Sequence, residues 1–371
     1  MKITIKQSDF SQALSIVSRA VSTRPTLPVL SHVLLHAEGS GLLLAGTDLE
    51  TFITTTIPAQ VEEEGSFTVP ARLLVDFVNA LPNEFIEMEL EDGTGTLHLV
   101  CGKNDADIKG TDAQEFPILP EQPDVPQFYL DAPLLAQALE QTVFSAATDE
   151  SRPILTGVYF RLEGEALTLA AADGFRLSVT SIGIQSVPDA QAAIIPAKAL
   201  AELAKLLPKN KDPDYTPVCR FSILKSRAHF GLPDGTTLDS QLIEGNFINY
   251  RQIVPTTHQT SAIVNVEALS KVLRTANIFG RQDVGLINLH INELSIAINA
   301  PGGEAGDYDS QVHAVVDGPG LDIALNVKFL LQAVQACTTE DVMLYFNDKA
   351  LPVKLTSEAF THVIMPMHVK G

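Results

Sequence analysis

Aspartate, histidine and cysteine are the residues of this chain that could do chemistry, so their spacing is weighed first. Asp48, Asp173 and Asp307 recur at matched places, one in each third of the chain, and carboxylates can hold a hard cation. Coming from separate repeats, they are not expected to converge. Aspartate bonding to its own following backbone, a turn former, is the reading adopted. The nine histidines show no zinc-ligand spacing. Cys101, Cys219 and Cys337 are far apart with no C-x-x-C pair, which predicts buried thiols in a reducing cytoplasm. Walker A, HExxH and GxSxG runs are missing. Gly93-Thr94-Gly95 lacks a third glycine and a following helix, so it reads as a hairpin turn. No enzyme, metal site or cofactor is expected.

The elements that would position a site come in three copies. FTVPARLLVDFVNALP from Phe67, AAIIPAKALAELAKLLP from Ala192 and DIALNVKFLLQAVQACT from Asp322 share one pattern. Each has a β-rich run, then Pro70, Pro196 or Asn326 at a helix entrance, then about three turns of helix. The entrances are 126 and 130 residues apart. A second helical pattern opens each copy: DFSQALSIVSRAV from Asp9, PLLAQALEQTVF from Pro133 and VEALSKVLRTANIF from Val266. Apolar residues such as Leu14, Val17 and Val21 fall at helical spacing there. Alternating strands follow, punctuated by turns such as Glu38-Gly39-Ser40-Gly41 and Glu163-Gly164-Glu165. Proline-rich 117–126 and the stretch 254–260 read as linkers. The expectation is three α+β domains over 1–120, 121–253 and 254–371, each with two helices on antiparallel sheet.

A length of 371 residues suits two to four domains. No charged n-region with an apolar h-region opens the chain, so no secretory signal is expected. No run of about 18 apolar residues could span a bilayer. The net charge of −20 argues at first sight against a nucleic-acid partner, because phosphate binding depends on Lys and Arg. The six helical windows, however, carry seven cations against five carboxylates and are net +2, which leaves −22 elsewhere. An acidic exterior with neutral-to-basic helices suits a protein whose helical face alone meets DNA. Mixed charge on an ordinary solvated face fits that count equally well.

RPTLP (Arg24–Pro28), GTDLE (Gly46–Glu50), TVPAR (Thr68–Arg72), DGFRL (Asp173–Leu177) and VIMPM (Val363–Met367) occur in order along these repeats. With them the chain resembles the bacterial DNA polymerase III beta sliding clamp family over essentially its whole length. The resemblance implies a head-to-tail homodimer, a ring with twelve helices inside and sheets outside. Such a ring is a processivity factor that encircles double-stranded DNA and tethers the polymerase and clamp loader without catalysis. Packing geometry agrees. Six helices spaced ~9 Å apart enclose a circle of only ~17 Å, too narrow for a duplex of roughly 20 Å, whereas twelve give ~34 Å. A protein-only scaffold that never encircles DNA is the alternative.

Site residues follow from the same resemblance. Arg24, Arg72, Arg152 and Lys198 would touch phosphates without reading bases. A greasy partner-peptide pocket would be lined by Leu155, Gly174, Phe175, Arg176, Leu177, Ile248, Gln252, Ile253, Val363, Ile364, Met365, Pro366 and Met367. It would receive peptides with aromatic or leucine anchors, for which flexible methionines are well suited. Without the resemblance, VIMPM would read as an ordinary buried last strand. Ile248 and Gln252 depart from the Pro and Arg common in the family, which implies a more apolar pocket. Pro153 and Ile154 replace a tyrosine pair that touches DNA in some members, and Asp149 is an unfavourable neighbour for phosphate. The dimer interface is expected to bring exposed Phe77, Leu81 and Ile108 against Ile278 and Phe279.

Overall fold

The computed structural model describes residues 1–22, 25–91, 93–209, 216–280 and 285–367. Among the described residues six α-helices form where the 3.6-residue periodicity places them: α1 Gln7–Val17, α2 Ala71–Ala80, α3 Ala132–Thr142, α4 Ala197–Leu206, α5 Val266–Gly280 and α6 Val327–Gln335. Val21, expected on the first helix, lies beyond it, because α1 tightens into a 3-10 turn at Ser18–Ala20. Each of α2, α4 and α6 leaves a strand directly, at Pro70, Pro196 and Asn326. Asn326 caps α6: its Oδ1 accepts from the Lys328 N–H at 3.0 Å and the Phe329 N–H at 3.3 Å, quenching two otherwise orphan donors.

The chain divides into two compact units, Met1–Pro133 with Lys205–Leu242, and Leu134–Ala204 with Ile243–Gly371. In the first, a five-stranded sheet contains Lys2–Lys6 and the strands Phe85–Glu91, Thr96–Cys101 and Asn104–Lys109. A nine-stranded sheet runs from Thr111–Asp112 to Phe128–Asp131. At its middle Thr51–Pro58 pairs with Thr237–Gln241, so strands from 121–253 continue a sheet begun within 1–120. Among the described residues the strand pairings are antiparallel.

The second unit is built on one ten-stranded antiparallel sheet that opens with Gly157–Ala172 and Arg176–Pro196. It continues through Phe360–Ile364, Val353–Ser357, Asp341–Phe346 and Thr260–Asn265. Helices α5 and α6 bury Leu269, Leu273, Ala276, Leu330 and Val334 in a core that also takes Leu344, Leu355 and Phe360 from the strands. Each such Leu or Phe contributes about 1.5–3 kcal/mol when removed from water. Side chains alternate across a sheet, so the opposite face is left for other partners. That face carries the candidate site.

Candidate partner-binding cleft

The cleft begins with a turn. Asp173 Oδ1 accepts from the Phe175 N–H at 2.9 Å and the Arg176 N–H at 3.0 Å, and Gly174 sits at φ +93°, a conformation that suits glycine. In the first unit Asp48 does the same work, accepting from the Glu50 and Thr51 N–H groups, with Leu49 at φ +78°. Asp307 accepts from the Gly302 N–H. Asp48 and Asp173 are therefore turn formers, whereas Asp307 bonds back to a backbone N–H five residues earlier.

Beyond the turn, Leu177 pairs with Val363 of the last strand and with Ala172 of Gly157–Ala172. Leu177, Val363, Ala170, Ala172 and Tyr250 form one buried cluster, against which Ile248, Phe247, Val254, Val179 and Tyr159 pack. Tyr159 and Phe247 are stacked, with centroids 5.2 Å apart and planes 3° from parallel. The sheet is the floor and the 246–254 segment the wall, which packs over Leu177 and Val363, each only 1% exposed. Gly245, at φ +132°, fixes where that wall starts, because a Cβ there would come within 2.9 Å of Ile154 Cδ1. At the mouth, the Met365 N–H donates to the Phe175 carbonyl at 2.8 Å. Phe175 and Met365 are 65% and 40% exposed, large apolar groups left in water, the feature that marks interaction sites.

The structure separates the other expected lining residues. Ile253 is partly exposed and Gln252 exposed on the wall. Leu155 is buried in the turn Pro153–Thr156 outside the cluster. Pro366 and Met367 carry the tail away, the Met367 N–H donating to the Ala324 carbonyl at 2.8 Å; residues 368–371 lie outside the described residues. Ile364 belongs to the helix-covered core. Arg176 is its cross-strand partner, and only 8% of the side chain is exposed.

Arg176 is a structural pin. Its Nε donates to Asp173 Oδ2 at 2.9 Å, Nη1 to Gln332 Oε1 at 2.6 Å and Nη2 to the Phe144 carbonyl. Its guanidinium lies 4.3 Å from the centroid of the Phe329 ring. Burial pushes its pKa below the ordinary value, an effect that the Asp173 carboxylate opposes. Arg176 and Ile364, expected in the pocket, thus fall on the other face of the sheet, since neighbours along a strand point opposite ways. On that same side, His362 Nδ1 lies 2.8 Å from Ser178 Oγ and Nε2 has no partner among the described residues. Burial first, then the Arg176 charge, holds its pKa down at about 3. The residues that sequence reasoning missed are Tyr159, Ala170, Ala172, Val179, Phe247, Tyr250 and Val254. The aromatic run Phe247–Tyr250 and the i, i+2 alternation from Leu177 to Val179 were the available signals.

The expected phosphate contacts are distributed over both units. Arg24 lies outside the described residues. Arg72 is exposed on α2, 4.0 Å from Asp76, and Lys198 is exposed on α4. Arg152 is exposed, but its guanidinium lies against Gly174, so that a Cβ there would be 3.2 Å from Nη1. Asp149 is occupied by Ser151, whose N–H and hydroxyl hold its carboxyl below the usual range. Along α5 and α6 a groove of about 740 Å³ is lined by Lys271 and Arg274, but equally by Glu267 and Glu340. That groove is close to neutral, not strongly basic.

Two expected interface residues are corrected. Leu81 is 8% and Ile108 only 3% exposed: Ile108 faces inward opposite Leu97, and Leu81 closes the end of α2. Ile278 is 64% exposed, Phe77 is half-buried, and Phe279 stacks on Tyr308. One cluster was not foreseen. His98 Nδ1 lies 2.7 Å from Asp107 Oδ1 and 3.6 Å from Asp105 Oδ1. The Asp107 bond raises the His98 pKa, so the group reads as a cross-strand ion pair. Cys219 and Cys337 are free thiols that burial pushes up to about 12 and about 11. Among the described residues no helix is long and apolar enough to cross a membrane.

Three family models match the chain in succession: the DNA polymerase III beta subunit N-terminal domain over 1–120, the central domain over 129–249 and the C-terminal domain over 251–368. The beta sliding clamp of Synechococcus elongatus is 31% identical over 382 residues, covering all of both chains. That of Escherichia coli K12 is 29% identical over 374 residues, again covering all of both. The crystal structure of the Bacillus subtilis DNA polymerase sliding clamp superposes with a TM-score of 0.91 at 26% identity, covering 100% of each chain. The Pseudomonas aeruginosa DNA polymerase III subunit beta gives 0.89 at 27%, also at 100% of each.

Proposed function

Because the chain belongs to the DNA polymerase III beta-subunit family, the sliding clamps, we propose that two copies close head to tail into a ring around duplex DNA. The chain is a DNA sliding clamp, a processivity factor and not an enzyme. The observation that carries this reading is the succession of three clamp domains through the whole chain, with six helices and antiparallel sheets. In the proposed ring, 1–120, 121–253 and 254–371 each supply two helices to the hole, and twelve in all leave room for a duplex. The cytoplasm is the matching compartment.

Binding to DNA is topological in this proposal. A chain of net charge −20 cannot hold DNA by attraction alone. Arg24, Arg72, Arg152 and Lys198 supply a few sequence-independent contacts, and closure supplies retention. Ile278, with Phe77 and Phe279 beside the contact, joins the two copies. The cleft floored by Leu177 and Val363 takes apolar anchors of peptides from the polymerase, the clamp loader and other partners, with Ile248 and Ile253 on its wall. Each Leu or Phe anchor is worth ~1.5–3 kcal/mol, so micromolar binding, about 8 kcal/mol, takes three or more anchors or backbone bonds beside them. That suits partners that exchange.

The test is retention on nicked circular DNA after loading, at salt that abolishes binding to short duplexes. The ring reading expects retention there and release when the circle is cut. Equal retention on both forms, or on neither, leaves the protein-only scaffold.

A further inference from the structure

The floor of the cleft does not stop at Val363. Val363 pairs with Lys354 on the next strand and Lys354 with Tyr345 on the one after, and directly paired residues share a face. Leu177, Val363, Lys354 and Tyr345 therefore form one row across four strands. Beside it runs a second row, Thr361, Thr356, Met343 and Ile263, all at least partly open to solvent. Strands are about 4.8 Å apart, so Lys354 is about 5 Å and Tyr345 about 10 Å beyond Val363, a distance an extended peptide covers in roughly two to three residues.

Lys354 is the cation on this path with no carboxylate. Its Nζ lies over the Tyr345 ring, 4.4 Å from the centroid, and it makes no ion pair among the described residues. Among the cations around the cleft, Arg176 is bonded to Asp173, Arg251 lies 3.7 Å from Glu163, and Arg152 lies against Gly174. An ammonium held on an aromatic face keeps its charge and its free donors. In a chain this acidic, it is the group beside Val363 that can attract a negative ligand.

We propose that Lys354 and Tyr345 form a carboxylate-binding subsite continuous with the cleft, which takes an Asp or Glu two to three residues from the apolar anchors of a partner peptide. This rests on the cleft reading above. Selectivity follows: anchors set whether a peptide binds, and the acidic flank ranks partners sharing the same anchors. Lys354 and Tyr345 are half-buried and open to solvent on one side, so the effect is that of a surface ion pair, about two- to five-fold in affinity and weakened by salt.

The experiment uses the full chain and synthetic fluorescent peptides carrying Leu and Phe anchors flanked, on either side, by three Asp, three Ser or three Lys. Anisotropy titrations compare the unaltered protein with Lys354→Ala and Lys354→Glu, surface changes that leave the core untouched. Asp flanks are expected to bind two- to five-fold more tightly than Ser flanks, to lose that advantage in Lys354→Ala, and to rank below Lys flanks in Lys354→Glu. An Asp advantage that is absent, or unchanged in both variants, overturns the subsite while leaving the cleft standing. Peptides whose anchors are changed to Ser separate the two readings. If they bind as well as anchored ones, the cleft reading fails and the subsite with it.

Discussion

Arg176 and Ile364 face each other across two antiparallel strands, one residue along from Leu177 and Val363 yet on the opposite side of the sheet. This single step divides a motif that reads as one site into two parts. Leu177 and Val363 anchor the buried cluster beside the exposed Phe175 and Met365, whereas Arg176 and Ile364 hold the sheet to the helices behind it.

Arg176 should therefore matter to stability more than to partner affinity. Arg176→Gln leaves Asp173 without its cation and removes the bonds to Gln332 and Phe144. Breaking a buried pair on one side costs about 3–5 kcal/mol. Urea unfolding is expected to show that loss, with peptide affinity in the still-folded protein changed less than about three-fold. A large affinity loss at unchanged stability would place Arg176 in the cleft after all.

Acid should weaken the second unit through His362. Its folded pKa of about 3 is below the ordinary value of about 6.5, so the unfolded chain takes up the proton first. The stabilisation is complete above pH about 6.5 and is lost progressively as pH falls toward 3, amounting to about 2 kcal/mol by pH 5. Thermal melts at pH 7.5 and pH 5 should show a smaller acid shift for His362→Gln than for the unaltered chain. Equal shifts would assign the acid sensitivity to other groups.

Met365→Ala separates the tail's two roles. The backbone bond from the Met365 N–H to the Phe175 carbonyl survives, while an exposed thioether at the mouth is lost. Peptide affinity measured by calorimetry should fall several-fold with an unchanged melting temperature. Loss of thermal stability without loss of affinity would make the tail a plain structural strand.

Ile278→Asp and Ile108→Asp should fail differently. Ile278 is exposed, so its substitution should give folded monomers by light scattering. Ile108 is buried, so a carboxylate there costs several kcal/mol of stability and should lower the melting temperature of the first unit. Dimers that persist in Ile278→Asp would remove that residue from the interface.

Local order was legible in the residues themselves. Periodicity placed α1 to α6, Asn326 announced its cap, and Asp48 and Asp173 declared their turns, because each depends on neighbours within a few positions. Leu177 and Val363 were legible through motif resemblance, though not their partners Tyr159 and Phe247, which meet them only across a fold spanning nearly the whole second unit. Facing was not legible. Whether Arg176, Ile364 or Ile108 points to solvent, cleft or core depends on strand register and on what packs behind the strand. A one-residue step reverses the side on which a side chain lies. Composition cannot set that parity; long-range hydrogen bonding between strands does, and it is also what places Lys354 beside Val363.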